Sequence, residues 1–178
     1  MKEVKIFARA GQGAITTAVI LGESLFYENK YAYAFPHFGA ARMGAPMNAF
    51  VRFDDKPVRL RSQIYKPDYI IVVDPTLIES QKCFENLDEG TKAIVAIRDK
   101  TIVPEVKNVE IKTLPAEAIA MEMIGKPFAN TILVGAFAKV TGQIKLESVL
   151  KAVESRFKNK PKLLEKNLQA VRKGYESV

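Results

Sequence analysis

A three-layer α/β domain with a mainly parallel sheet is the fold class that the sequence predicts, and three observations carry it. The first is Arg9-Ala10-Gly11-Gln12-Gly13-Ala14, a glycine turn set between an alternating apolar run at residues 4–8 and a proline-free run at residues 14–28. The second is Tyr69-Ile70-Ile71-Val72-Val73, continuously apolar as a strand covered on both faces must be, followed at once by Asp74-Pro75, a helix cap and a first-turn proline. The third is the continued alternation of strand-like and helix-like segments, with no internal repeat and no low-complexity linker.

Taken in order, residues 4–8 form a first strand, and the following helix carries Ile15, Val19, Leu21, Leu25 and Phe26 close to helical spacing. A second strand is expected near residues 31–35. Residues 35–46 hold two glycines and two prolines, which forbid a regular helix, so they read as a loop. Next comes a hairpin inserted into the wound core: residues 48–53, a turn at Asp54-Asp55-Lys56-Pro57, then residues 58–60. Later strands fall at residues 68–73, 92–97 and 108–113, with helices beginning near Pro75, Pro115 and Asn130. The tail, from about residue 143 to 178, is helical, with Leu146, Val149, Leu150, Val153 and Phe157 on one stripe and Leu164, Leu168, Val171 and Tyr175 on another. With 48% hydrophobic content, 178 residues bury a substantial core, so residues 1–178 are expected to make a single domain.

Composition narrows the function classes. No apolar run reaches membrane-spanning length and residues 1–3 lead straight into a strand, so a soluble, cytoplasmic chain is expected. One cysteine, Cys83, allows no internal disulfide, no cysteine-ligated iron-sulfur cluster and no structural zinc from this chain alone. Of the net charge of +7, most sits in the tail, where residues 139–178 hold ten Lys and Arg against four Glu. Those cations are diluted by Glu147, Glu154, Glu165 and Glu176 and are not interleaved with exposed-looking aromatics. A solvated face or an acidic protein partner therefore fits better than a nucleic acid.

The chemistry concentrates in two segments. A strand, a glycine turn and a helix start in series aim backbone N–H groups at an anion or a docking partner. A dinucleotide fingerprint fits poorly: Thr16 stands where a third small residue belongs, and the second strand ends without the acid that holds a ribose. A triphosphate loop fits worse, since Gly125-Lys126 is followed by Pro127. A turn with no ligand explains the glycines equally well. In the loop at residues 35–46, Phe35, Phe38 and Arg42 supply the contact chemistry of an interface. His37, the one histidine, has no acidic neighbour in sequence and reads as packed rather than catalytic. No catalytic or metal-ligating residue is assigned to the chain.

Arg9 to Ala14, Ala34-Phe35-Pro36, Phe38-Gly39, Arg42, Gly44-Ala45-Pro46, Arg59-Leu60-Arg61-Ser62, Pro67-Asp68, Asp74-Pro75-Thr76-Leu77 and Asn130-Thr131 through Gly142 together resemble the gamma subunits of pyruvate:ferredoxin oxidoreductases. The resemblance runs in one register over most of the chain. Gly44-Ala45-Pro46 resembles the pyruvate and branched-chain branches rather than the 2-oxoglutarate branch. Ala41 and Met43 depart from the acidic and polar residues usual at those places, so pyruvate and 2-oxoisovalerate both stay open as substrates. The resemblance implies a Rossmann-like domain in a complex of alpha, beta, gamma and delta subunits. There thiamine diphosphate, Mg²⁺ and [4Fe-4S] clusters reside on the other subunits, coenzyme A is a substrate and ferredoxin takes the electrons. It also implies that Arg9, Gly11, Gln12, Gly13, Phe38, Arg42 and Asn130 are candidates for contact with coenzyme A or a neighbouring subunit, Arg59 and Arg61 being further cations within reach of phosphates or acids. A free-standing nucleotide- or nucleic-acid-binding domain is the alternative from another class.

Overall fold

A computed structural model of the chain describes residues 1–38, 42–97 and 103–178, with the backbone alone at Phe38. Six strands form one sheet in the order β2-β3-β1-β4-β5-β6. β1 (Lys2–Arg9), β4 (Tyr69–Val72), β5 (Lys92–Ala96) and β6 (Glu110–Leu114) run parallel, while β3 (Pro46–Asp54) pairs antiparallel with both β1 and β2 (Tyr31–Phe38). The parallel half follows from apolar content. β4 is buried along its whole length, and β1 puts Val4, Ile6 and Ala8 on one face and Phe7 on the other. This arrangement also explains why no dinucleotide fingerprint completes itself. β1 and the helix α1 (Ala14–Tyr27) lead to an edge strand held apart from β1 by the antiparallel β3, not to a second parallel strand beside β1.

The expected three layers are present but unequal. The first face is packed by α1, α3 (Ala116–Met123), α4 (Asn130–Thr141), α5 (Leu146–Phe157) and α6 (Pro161–Glu176). Among the described residues the second carries the four-residue α2 (Leu77–Ser80) with the turns after it, around Leu77, Ile78 and Cys83, and, over β3, the irregular segment near Ser62 and Gln63. α4 is buried without a break from Asn130 to Ala138 because it lies between the sheet and α6. Two glycines permit that contact. A Cβ added at Gly135 would fall on the carbonyl oxygen of Val171, and one added at Gly174 on that of Ile132. No helix among the described residues is long and apolar enough to cross a membrane.

Two expectations are corrected. The hairpin is β2 with β3, since the second strand runs on to Phe38, and residues 58–60 are not a strand. They belong to a covering segment gathered by Arg52, which is buried on β3. Its guanidinium pairs with Glu3 (2.5 Å) and donates to the carbonyls of Ser62 (2.5 Å) and Gln63 (3.2 Å). A buried fork of donors needs that many acceptors, and an extended strand beside β3 does not supply them. The second correction concerns α1, where Ile15, Val19 and Phe26 point to solvent while Ala14, Ala18, Ile20, Leu21 and Leu25 face the core. The helix is apolar almost all round, so spacing alone does not select its inner face.

The backbone contact between α4 and α6 leaves no room for a methyl group. Gly174→Ala is expected to lower stability by about 2 kcal/mol, roughly 6 °C in Tm, measured by thermal denaturation.

Candidate functional site

The turn after β1 is built by side chains that close back on it. The backbone N–H of Arg9 donates to Oε1 of Gln12 (2.7 Å), and the N–H of Gln12 returns to the carbonyl of Arg9 (3.0 Å). Asp74, at the end of β4, then anchors both residues through one oxygen, accepting from Gln12 Nε2 (2.7 Å) and Arg9 Nε (3.2 Å). The remaining guanidinium nitrogens of Arg9 donate to Thr76 Oγ1 (2.9 Å) and to the carbonyl of Gly44 (3.1 Å). Ala10 and Gly44–Ala45 are joined by a pair of backbone bonds of 2.9 and 3.1 Å, which ties the segment before β3 to the turn. Asp74 does not itself cap α2. Thr76 precedes that helix, and its N–H and hydroxyl donate to Asp74 Oδ1. Burial alone pushes the carboxyl of Asp74 upward, but hydrogen bonds from Thr76 and Gln12 and the charge of Arg9 outweigh it and hold the carboxyl below the ordinary aspartate range.

From the other side the turn is gripped by Asn130, the first residue of α4. Its Nδ2 donates to the carbonyls of Gln12 (3.0 Å) and Gly13 (2.8 Å) and reaches Thr17 Oγ1 (3.2 Å). Gly13 has φ of +83°, and an added Cβ there would land on the Asn130 amide. Gly11 has φ of +100°, but its added Cβ would meet only the mobile end of Met43, at 2.7 Å. Among the described residues no side chain caps the start of α1, and no acidic residue lies in its first turn.

That start opens on a groove of about 340 Å³. Gly11, Gly13 and Thr16 form one wall; Ile124, Phe128, Phe157 and Leu163 make the opposite side apolar; Lys126 is the one cation in the lining among the described residues. Asn167 and Thr131 close the far end, buried and bonded to each other at 3.0 Å. A mostly apolar groove of this size, with a few convergent polar groups and an open helix start, suits an elongated anion with an uncharged stem.

Of the residues singled out from sequence, Arg9, Gly11, Gln12, Gly13 and Asn130 converge at the turn. Only the two glycines and Asn130 line the groove, because Arg9 and Gln12 turn the other way toward Asp74. Arg42 is exposed beside the turn, and its guanidinium makes no ion pair among the described residues. Phe38 pairs with Met47 through its backbone, and Gly39, Ala40 and Ala41 lie outside the described residues. Arg59 is exposed, whereas Arg61 stacks 3.7 Å from the centre of the Tyr33 ring. His37 lies 3.2 Å from the Gln63 amide and beside Phe50. Phe128 and Leu163 carried no sequence signal, while Lys126 stood out only in a triphosphate loop that Pro127 breaks and Phe157 only on an apolar helix stripe; all four are far from the turn along the chain. Cys83 is buried, its thiol pushed up to about 12 by burial, and no group of three potential metal ligands occurs among the described residues.

Residues 3–177 match the family model described as pyruvate ferredoxin/flavodoxin oxidoreductase. A subunit of Pyrococcus furiosus, named as the gamma subunit common to pyruvate and ketoisovalerate oxidoreductases, is 43% identical over 182 residues, covering 100% of this chain and 97% of the relative. The crystal structure of pyruvate oxidoreductase subunit PORC from Thermotoga maritima superposes with a TM-score of 0.86 at 34% identity, over 99% of this chain and 96% of that one. The fold also recurs, at 19% identity and a TM-score of 0.83, in 2-oxoglutarate:ferredoxin oxidoreductase from Magnetococcus marinus. That structure has 2-oxoglutarate, coenzyme A and succinyl-CoA bound, and this chain matches 31% of its length.

Two outcomes follow from the turn. Gly13→Ala is expected to destabilise by roughly 3 kcal/mol, from left-handed strain plus displacement of the Asn130 amide, against about 1–2 kcal/mol for Gly11→Ala, both read by denaturation. Asp74 is the pH-sensitive brace. Because its folded-state pKa is depressed, its stabilisation is complete above the unfolded value of about 4 and is lost as pH falls through the lower folded value. The stability difference between wild type and Asp74→Asn should therefore be flat at neutral pH and shrink toward zero in strong acid.

Proposed function

The chain belongs to the pyruvate ferredoxin/flavodoxin oxidoreductase family as a gamma-type subunit, and on that premise we propose that its groove receives coenzyme A for a pyruvate-oxidising complex. In the overall reaction pyruvate, coenzyme A and oxidised ferredoxin give acetyl-CoA, carbon dioxide and reduced ferredoxin, in either direction. Family membership displaces the alternative of a free-standing nucleotide- or nucleic-acid-binding domain. The chain works in the cytoplasm with alpha, beta and delta partners, which hold the thiamine diphosphate, Mg²⁺ and clusters. Its own residues do not fit those groups: the one thiol is buried and protonated, and the described carboxylates form no metal-binding cluster.

The observation that carries the coenzyme A reading is the groove, in which an uncapped helix start and Lys126 face an apolar wall. The helix start and Lys126 attract phosphate oxygens, and Phe128 and Phe157 cover the uncharged stem and exclude water from it. Asn130 takes no chemical step; it fixes the turn that the ligand meets. The presence of coenzyme A in the Magnetococcus marinus enzyme, which shares the fold, supports the assignment.

A second reading, 2-oxoisovalerate in place of pyruvate, is favoured by the Pyrococcus furiosus subunit, named as common to both oxidoreductases. One subunit serving two 2-oxoacids carries a function the two reactions share, and coenzyme A is the shared substrate.

Lys126→Ala in the assembled complex should raise KM for coenzyme A about tenfold, since a charge-assisted contact is worth about 1.4 kcal/mol or more. Cleavage of the 2-oxoacid measured without coenzyme A, and the preference between pyruvate and 2-oxoisovalerate, should not change. An unaltered KM in an intact complex would remove coenzyme A from this groove.

A further inference from the structure

The solvent-facing stripe of α1 and the residues just after it gather five of the exposed large apolar side chains among the described residues. Ile15, Val19, Phe26, Tyr27 and Tyr31 are between 37% and 67% exposed, and Ile15, Val19, Gly22 and Phe26 follow one another at helical spacing over about 16 Å. At its C-terminal end the stripe borders a groove of about 620 Å³, lined by Gly22, Phe26, Tyr27, Lys30, Tyr31 and Ala32. β2, whose first residues line that groove, is the edge of the sheet. An apolar face that continues from a helix onto a sheet edge is large enough to form one side of a specific interface.

Charge identifies the occupant. Glu23 is the one charged residue in α1, and it sits at the middle of the stripe with the Tyr27 hydroxyl 3.5 Å away. If a second copy of the chain covered this face about a two-fold axis through its middle, the two Glu23 carboxylates would be brought together as the interface dried, which like charges oppose, and Lys30, the cation in the adjoining groove, is already drawn to Asp55 (3.7 Å). Edge-to-edge pairing of β2 with its copy is blunted as well, because Pro36 removes an N–H from that strand. A different chain escapes both obstacles. We propose that the α1–β2 face is where a sister subunit of the oxidoreductase docks, through an apolar surface bearing a cation that meets Glu23. This rests on the chain being a gamma-type subunit. The face begins at Ile15, one residue into α1, so the docked subunit also borders the groove at the glycine turn.

Native complex assembled around an affinity-tagged chain tests this. Val19→Asp and Phe26→Asp should reduce recovery of the sister subunits at least tenfold and Glu23→Lys should also reduce it, whereas Met121→Asp, at an exposed apolar residue on α3, should not. Melting of each isolated variant shows whether it stays folded. In the wild-type complex, amide exchange should slow across α1 and the start of β2 relative to the isolated chain. Full recovery with both aspartate variants, or unchanged exchange across α1, overturns the proposal. So does an isolated chain that is dimeric until Phe26→Asp dissolves it, which assigns the face to a second copy. Absence of sister chains even with the wild-type bait would overturn the subunit reading itself, an outcome distinct from these.

Discussion

Everything at the functional end of this molecule depends on one side-chain amide. Asn130 donates to two successive carbonyls of the glycine turn, 117 and 118 residues earlier in the chain, and so fixes α4 against the start of α1. Carbonyls in a tight turn beside a helix start have no partner in regular structure, and leaving them buried and unpaired would be unfavourable. Because the amide occupies the space a side chain at position 13 would need, glycine there is required twice, by backbone conformation and by contact. The groove is a consequence: α4 brings Lys126 and Phe128 to one side, and α6, pressed on α4, brings Leu163.

Opposite Asn130, Asp74 performs the complementary task. It gathers Arg9, Gln12 and Thr76 around one carboxylate, so the cation next to the glycine turn is neutralised by the protein. An arginine beside a phosphate-sized turn suggests a ligand contact when read from sequence, yet the guanidinium is already used in holding β1, β4 and the segment before β3 together. The groove's positive character comes instead from the helix start and Lys126.

The sequence made the strand, turn and helix series legible because each part has a local cause: alternation, glycines, and the absence of proline. The parallel strands were legible through their unbroken apolar runs, and Asn130 through its place at a helix start. The hairpin partner was not, since which strand lies beside β3 depends on Arg52 drawing the 58–64 segment into a cover rather than a strand. The inner face of α1 was hidden by a helix that is apolar on nearly every side, and the groove's far wall by the long separation between Thr16 and Leu163. In each case the missing information is tertiary. The chemistry of a residue is local, but its partner is not.

The burial of Cys83 has a chemical consequence. With its pKa pushed up to about 12 by burial and its Sγ donating to the Leu77 carbonyl, the thiol stays protonated at neutral pH. Thiolate is the form that oxidants attack and alkylating reagents capture. Burial and protonation therefore slow both reactions while the chain is folded, and lifting of the thin second layer around α2 from the sheet exposes the sulfhydryl. The rate of alkylation thus reports the opening of that layer separately from the thick helical layer on the other side.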